Sequence, residues 1–203
     1  MREYILIPCK ALSEGKSRLA GILSVAERQA LCARLFRNAL GLARALQPAR
    51  QVRVITPDTE IAAIAAEFGV GTICDGGTSL NEALERGRAR ILEETGGAAE
   101  AIILPIDLPY ATADAVGRVK AHEFDVVLAP DAERRGTNLL YLGSRALWIF
   151  PFAFGPGSFA AHRSWPERQG LRVATVDDPC LSFDIDRPTD YESWQRAVGG
   201  ASN

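Results

Sequence analysis

From the first residues to about position 130, short apolar runs alternate with longer stretches whose apolar positions recur at helical spacing. Tyr4–Ile7 reads as a buried strand. Ser24 with Glu27 three residues later is a capping box that opens a long helix to about Leu46. Val52–Ile55 is the next strand, and a short helix from Thr59 to Phe68 is stopped by Gly69. Val70–Cys74 is a third strand. Ser79 and Glu82 form a second capping box, whose helix ends at Thr95-Gly96-Gly97. Ala101–Leu104 and Val126–Ala129 are further strands, with a short helix near Thr112–Lys120 between them.

Strands that are continuous apolar runs, each followed by a helix, predict a mostly parallel sheet covered on both faces. This is a doubly wound, Rossmann-like α/β domain. Ligands of such sheets bind beyond the carboxyl ends of the strands, so the loops after Ile7, Cys74, Leu104 and Ala129 are where chemistry is expected. From Asn138 the pattern changes. Strand-like Leu139–Leu142 leads into aromatic-rich Trp148–Phe154, then Gly155-Pro156-Gly157 and a short helix from Ser158. Val173–Val176 and Leu181–Ile185 read as strands, and Pro188 opens a last helix at its favoured first position. Residues 131–203 are therefore expected to form a lobe on the sheet of residues 1–130, within one domain spanning 1–203.

The chain has 203 residues, enough for one domain with a proper core, and a formal net charge of -2 from 23 basic and 25 acidic residues. That balance gives no support for a nucleic-acid or anionic-membrane partner, so an anionic ligand must be met by local charge. The cysteines Cys9, Cys32, Cys74 and Cys180 form no metal-binding pattern and suit reduced thiols in a cytoplasmic protein. Tyr4–Ile7 is too short, and too soon followed by Pro8 and Lys10, for a signal peptide, and no apolar run approaches membrane-spanning length.

Three cations, Lys10, Lys16 and Arg18, lie in the loop after the first strand, where an α/β sheet meets phosphates. It is not a Walker A loop, since G-x-x-x-x-G-K-S/T is absent. Lys16 and Arg18 point to one side if the loop is locally extended. Asp107 follows a buried strand in a loop stiffened by Pro105 and Pro109. Asp184 and Asp186, two apart in an expected strand, share a face. Mg²⁺ prefers oxygen ligands, and these three carboxylates suffice to hold one or two ions against a nucleotide. Gly76 and Gly77 permit close backbone approach, and Asn81 can both donate to and accept from a base edge or ribose, although Gly-Gly before a Ser cap is also a good turn. Thr137 and the Gly155-Pro156-Gly157-Ser158 helix start suit a phosphate monoester. His162, one turn after Ser158, can face the same pocket, and Arg134 and Arg135 lie nearby in sequence. With only His122 besides, a histidine metal site is disfavoured. No G-x-S-x-G elbow is present to support a hydrolase triad.

These segments occur in one order: the cationic opening, Asp75-Gly76-Gly77 with Leu80-Asn81, Pro105-Ile106-Asp107-Leu108-Pro109, Gly136-Thr137-Asn138, Phe154-Gly155-Pro156-Gly157-Ser158 and Asp184-Ile185-Asp186. As an ordered set over nearly the whole chain they resemble the guanylyltransferases of deazaflavin coenzyme (coenzyme F-420) biosynthesis, within the MobA-like nucleotidyltransferases. The molybdopterin and sugar-phosphate branches open with a glycine-rich loop, whereas Gly15 is the only glycine between Ile7 and Leu19. The resemblance implies a nucleotide-diphospho-sugar transferase type of fold, Mg²⁺ on Asp107, Asp184 and Asp186, and the phosphorylated acid on Thr137, Gly155 and Ser158. It also implies GTP phosphates on Lys10, Lys16 and Arg18, so that Asp107, Lys16 and Arg18 are the catalytic set. GMP would pass from GTP to 2-phospho-L-lactate, phosphoenolpyruvate or 3-phospho-D-glycerate, and the product to a downstream transferase. A homodimer is left open. Two rivals stand beside it: a nucleotidyltransferase of another branch, and a binding protein that keeps the fold without turnover.

Overall fold

The structure, a computed structural model, describes residues 2–77, 79–120 and 123–200; Thr78 and His122 lie outside them. The first half follows the expected alternation. β1 (Arg2–Pro8), α1 (Val25–Leu46), β2 (Val52–Ile55), α2 (Thr59–Glu67), β3 (Gly71–Ile73), α3 (Leu80–Thr95), β4 (Ala99–Ile103), α4 (Ala113–Val119) and β5 (Val126–Pro130) succeed one another. Both capping boxes form: the Ser24 and Ser79 hydroxyls accept from the backbone N–H of Glu27 and Glu82, whose carboxylates accept in return. Asp58 caps α2, and Gly96 ends α3 in the left-handed region at φ 61°.

The second half contributes β6 (Thr137–Leu142), α5 (Ser144–Ile149), α6 (Ser158–Arg168), β7 (Val173–Thr175), α7 (Pro179–Ser182) and α8 (Pro188–Gly200). The sheet order is β3-β2-β1-β4-β6-β5-β7. β6 runs antiparallel to both its neighbours, and every other pairing is parallel. Because β6 is reversed, it begins where β4 and β5 end: Thr137 pairs with Pro130, and Leu140 with both Leu128 and Ile103. Its first residues thus stand at the ligand edge, as the carboxyl ends of the other strands do.

Alternation along the strands builds two cores. Ile5, Ile7, Val54, Ile102, Val127 and Tyr141 pack one face against α1, α2, α4 and α7. Leu6, Ile103, Leu128 and Leu140 pack the other with α3, α5 and α6. A third cluster joins distant parts of the chain: Leu19 and Leu23 after the cationic loop, Leu31 and Leu35 of α1, Ile185, and Trp194 of α8.

Two expectations are corrected. Leu181–Ile185 is not a strand: Asp178 caps the single turn of α7, its side chain accepting from Cys180 N–H, and residues 183–186 are irregular. Pro179 at the first helical position and that cap outweigh the local apolar run. Between Leu142 and the aromatic stretch the chain also forms α5, which buries Ala146 and Leu147 and was not expected.

Candidate active site

Leu19, fully buried in the third cluster, anchors the cationic loop from behind. Gly15 lets that loop press onto α1, since a Cβ there would lie 2.5 Å from Cys32 Sγ. Lys16 then adopts the left-handed region at φ 52°, a conformation that costs a non-glycine residue about 1 kcal/mol. Residues 17–19 close into a 3₁₀ turn, so the loop is not extended; Lys16 and Arg18 take separate partners, yet both line the larger of the site's two cavities. Lys16 Nζ lies 2.9 Å from Asp107 Oδ2, and Arg18 pairs with Asp186. Burial opposes the charge on Lys16, whose side chain is 8% exposed. The Asp107 carboxylate, by charge and hydrogen bond, and Asp186 together outweigh that and raise the ammonium's pKa.

The three aspartates meet through the backbone as well. Ile185 N–H donates to the Asp107 carbonyl at 3.1 Å, with the Ile185 side chain fully buried in the third cluster. Asp184 and Asp186 flank that anchor and both line the cavity, although no strand puts them there. Asn138 Nδ2 donates to the Leu181 carbonyl at 2.9 Å and lies 3.4 Å from Asp184 Oδ1. Burial pushes the Asp184 pKa up to about 6; Asp107 and Asp186 push the same way, while Asn138 and Lys16 resist. Negative charge is thus concentrated in the basin, where Lys16 and Arg18 pair with two of the three aspartates among the described residues. Among the described residues, no three His, Cys, Asp or Glu side chains are grouped closely enough to hold a metal as they stand. The donor set is all oxygen, the chemistry that suits Mg²⁺.

At the start of β6, Asp131 accepts from the N–H groups of Arg135 and Gly136 at 2.8 and 2.7 Å and folds the turn. The next residue's N–H, that of Thr137, donates to Ser158 Oγ at 3.0 Å. Gly155, at φ 132°, makes the bend into α6 that a side chain would strain. The Ser158 and Phe159 amides at the start of α6 are taken by the carbonyls of Gly155 and Arg135. Hydroxyls, more than these helix amides, are what this segment offers a ligand.

Two adjoining cavities result. The smaller, of about 200 Å³, is mainly apolar, with Pro8, Ile55, Ala83, Ile103 and Ile106 in its wall. The larger, of about 690 Å³, gathers Lys10, Lys16, Arg18, Asp107, Thr137, Gly155, Ser158, Asp184 and Asp186. Lys10, Lys16, Leu80, Pro105, Asp107 and Phe154 line both. Gly76, Gly77 and Asn81 line neither. Asn81 is committed elsewhere: its amide donates to the Phe154 carbonyl at 3.1 Å and accepts from the Phe154 N–H at 2.8 Å. Arg135 lines the larger cavity, whereas Arg134 pairs with Asp177 and lies over Phe159. Asn138, part of the Gly136-Thr137-Asn138 segment, also lines it, as do Arg187 and Asp131, which the sequence reading does not single out. Arg187 adjoins Asp186, a proximity signal that the sequence carries.

An α/β sheet with one reversed strand is a fold that this chain shares with solved nucleotidyl transferases. In fold the chain is similar to a nucleotidyl transferase from Methanothermobacter thermautotroptrophicus (TM-score 0.66, 15% identity, covering 100% of this chain and 99% of that one). It is also similar to CMP:2-keto-3-deoxy-manno-octonic acid synthetase complexed with CTP (TM-score 0.64, 14% identity, 99% and 100% covered). The family described as "Guanylyl transferase CofC like" matches residues 3–194, and the chain belongs to that family. Among curated relatives, proteins named phosphoenolpyruvate guanylyltransferase are similar along most of the length. That of Rubrobacter xylanophilus is 37% identical over 202 residues, with 98% of this chain and 96% of the relative covered. That of Chloroflexus aggregans is 40% identical over 189 residues (90% and 91%), and that of Sphaerobacter thermophilus 36% over 207 (100% and 98%).

Proposed function

We propose that this chain transfers GMP from GTP to the phosphate of a small phosphorylated acid, releasing pyrophosphate, as a step of coenzyme F-420 biosynthesis. The observation that carries this reading is the pair of cavities joined at Lys16 and Asp107: an apolar slot sized for part of a nucleoside beside a polar basin. The guanine ring suits the slot between Ile55, Ala83 and Phe154, and the phosphates suit Lys10, Lys16 and Arg18. The acid suits Thr137, Gly155 and Ser158. The names of the relatives favour phosphoenolpyruvate over 2-phospho-L-lactate and 3-phospho-D-glycerate.

In the reaction an oxygen of the acid's phosphate attacks the α-phosphorus of GTP, and the bond to the bridging oxygen of the β-phosphate breaks with its electron pair leaving on pyrophosphate. The nucleophile is already anionic near neutral pH, so this chain needs no general base. Its work is in-line positioning and neutralisation of charge. Lys16, held at the junction, meets charge that grows on the leaving group. Mg²⁺, held by Asp107, Asp184 and Asp186, would supply Lewis-acid neutralisation of phosphate oxygens.

Mass spectrometry of products from GTP with the three acids in competition tests the reading. A guanosine diphosphate-linked acid, with one pyrophosphate released per product and turnover lost to a chelator and restored by Mg²⁺, is expected. Turnover with CTP or UTP and a sugar phosphate, and none with GTP and these acids, would overturn it.

A further inference from the structure

His162 sits on α6 one turn beyond Ser158, yet it does not line the cavity. It is 1% exposed, packed edge-on to Phe154 and tilted against Phe150. Burial pushes its pKa down to about 4, so the ring is neutral at physiological pH. A neutral imidazole has one donor and one acceptor nitrogen, and the contacts decide which is which. Nε2 lies 2.9 Å from the backbone nitrogen of Ala153, which can only donate. Nε2 is therefore the acceptor, and the proton is on Nδ1. That nitrogen lies 3.0 Å from Thr137 Oγ1, so it donates to the hydroxyl.

The consequence falls on the cavity. Thr137 Oγ1 has a lone pair filled by His162, and Ser158 Oγ has one filled by Thr137 N–H. Both residues line the larger cavity, and neither hydroxyl proton has an acceptor among the described residues. We propose that His162 is a positioning residue. As the Nδ1–H tautomer fixed by the Ala153 amide, it orients the Thr137 hydroxyl as a donor, which with the Ser158 hydroxyl makes a paired-donor seat for an oxyanion of the substrate acid. This rests on the reading above that Thr137 and Ser158 bind the acid. A seat of two oriented donors selects phosphate or carboxylate oxygens, and disfavours a group that must itself donate.

The tautomer can be read directly. In protein labelled with ¹⁵N-histidine at pH 7, the His162 ring should show a protonated Nδ1 and an unprotonated Nε2. A protonated Nε2 would overturn the proposal. Kinetics separate positioning from packing. His162→Asn keeps a donor near the Nδ1 position, whereas His162→Gln keeps an acceptor near Nε2 and loses that donor. His162→Gln should raise KM for the acid about tenfold, with KM for GTP within about twofold, and His162→Asn should stay nearer the parent. Thr137→Val should match His162→Gln, and the double variant should be no worse than either single one. Equal effects of Asn and Gln, or additivity with Thr137→Val, would overturn the positioning role. If Thr137→Val and Ser158→Ala leave KM for the acid unchanged, the assignment of the acid's seat fails instead, before His162 is reached.

Discussion

The backbone N–H of Ile185 donates to the carbonyl of Asp107 at 3.1 Å, tying the loop after β4 to the segment before α8. Ile185 is fully buried beside Leu19 and Trp194 in one cluster. The same hydrophobic contact therefore fixes the cationic loop, through Leu19, and the paired aspartates, through Ile185. Three sequence-distant charge groups acquire their geometry from one small apolar cluster and one backbone hydrogen bond.

Asp107→Asn is expected to lose nearly all turnover while the fold persists. The change removes a carboxylate from the basin and the partner of a buried ammonium, but leaves the main-chain bond to Ile185 intact. Loss of a key charge at a phosphoryl-transfer site costs about 3 kcal/mol or more of transition-state stabilisation. Turnover within about threefold of the parent, by pyrophosphate release, would remove Asp107 from the chemistry.

Buried His162 and partly buried Asp184 make opposite contributions to acid stability. His162 has its pKa lowered from 6.5 to about 4, so its contribution is full above pH 6.5 and is lost as pH falls toward 4. Asp184, which faces Asp107, Asp186, Lys16 and Asn138, has its pKa raised from 3.8 to about 6. Its contribution is full below pH 3.8 and is lost as pH rises through 6. The two act in opposite directions over the same pH range, so between these limits they offset one another in part. Asp184→Asn should therefore steepen the loss of urea stability on going from neutral to about pH 4.5 in chelator, and His162→Gln should flatten or reverse it. Parallel pH profiles for the two variants would refute the assignment.

The strands and helices of the first half were legible because each element carries its own start and stop: both capping boxes and the glycines at positions 69 and 96 act locally. The reversed β6 was not, since strand direction depends on which neighbours it meets across the sheet. Asp184 and Asp186 were picked out for a strand that does not exist; they share the cavity because the buried Ile185 between them turns both outward. The partner of Asn81 was hidden for a related reason. The Asn81 amide looks free along the chain, and the Phe154 backbone that engages it lies 73 residues away.

Lys16→Ala should raise KM for GTP and lower kcat together. The ammonium sits at the junction of both cavities, and a contact made only with bound substrate would leave kcat unchanged. Lys16→Arg should rescue in part, because a planar fork does not match a point charge whose side chain is only 8% exposed. Full activity in Lys16→Ala would mean that the nucleotide phosphates are held elsewhere.

Gly15 gives the last prediction. A single glycine cannot wrap a triphosphate as a glycine-rich loop does, and its environment points to another reason for being there. Its φ is not in the left-handed region, so backbone freedom is not the requirement. Close approach is: an added Cβ would lie 2.5 Å from Cys32 Sγ and 3.6 Å from Cys32 Cβ. Cys32 is 2% exposed on α1, where side-chain rotamers are restricted, so the sulfur has little room to turn aside. Gly15→Ala should therefore destabilise the protein by about 1–3 kcal/mol and raise KM for GTP by pushing the neighbouring Lys16 off Asp107. Cys32→Ala removes the sulfur and keeps the tolerable Cβ, so the double variant should recover most of both losses. Thermal unfolding and GTP kinetics on the four proteins of that cycle decide it: a neutral Gly15→Ala, or a double variant no better than the single, would show that the loop does not depend on this contact.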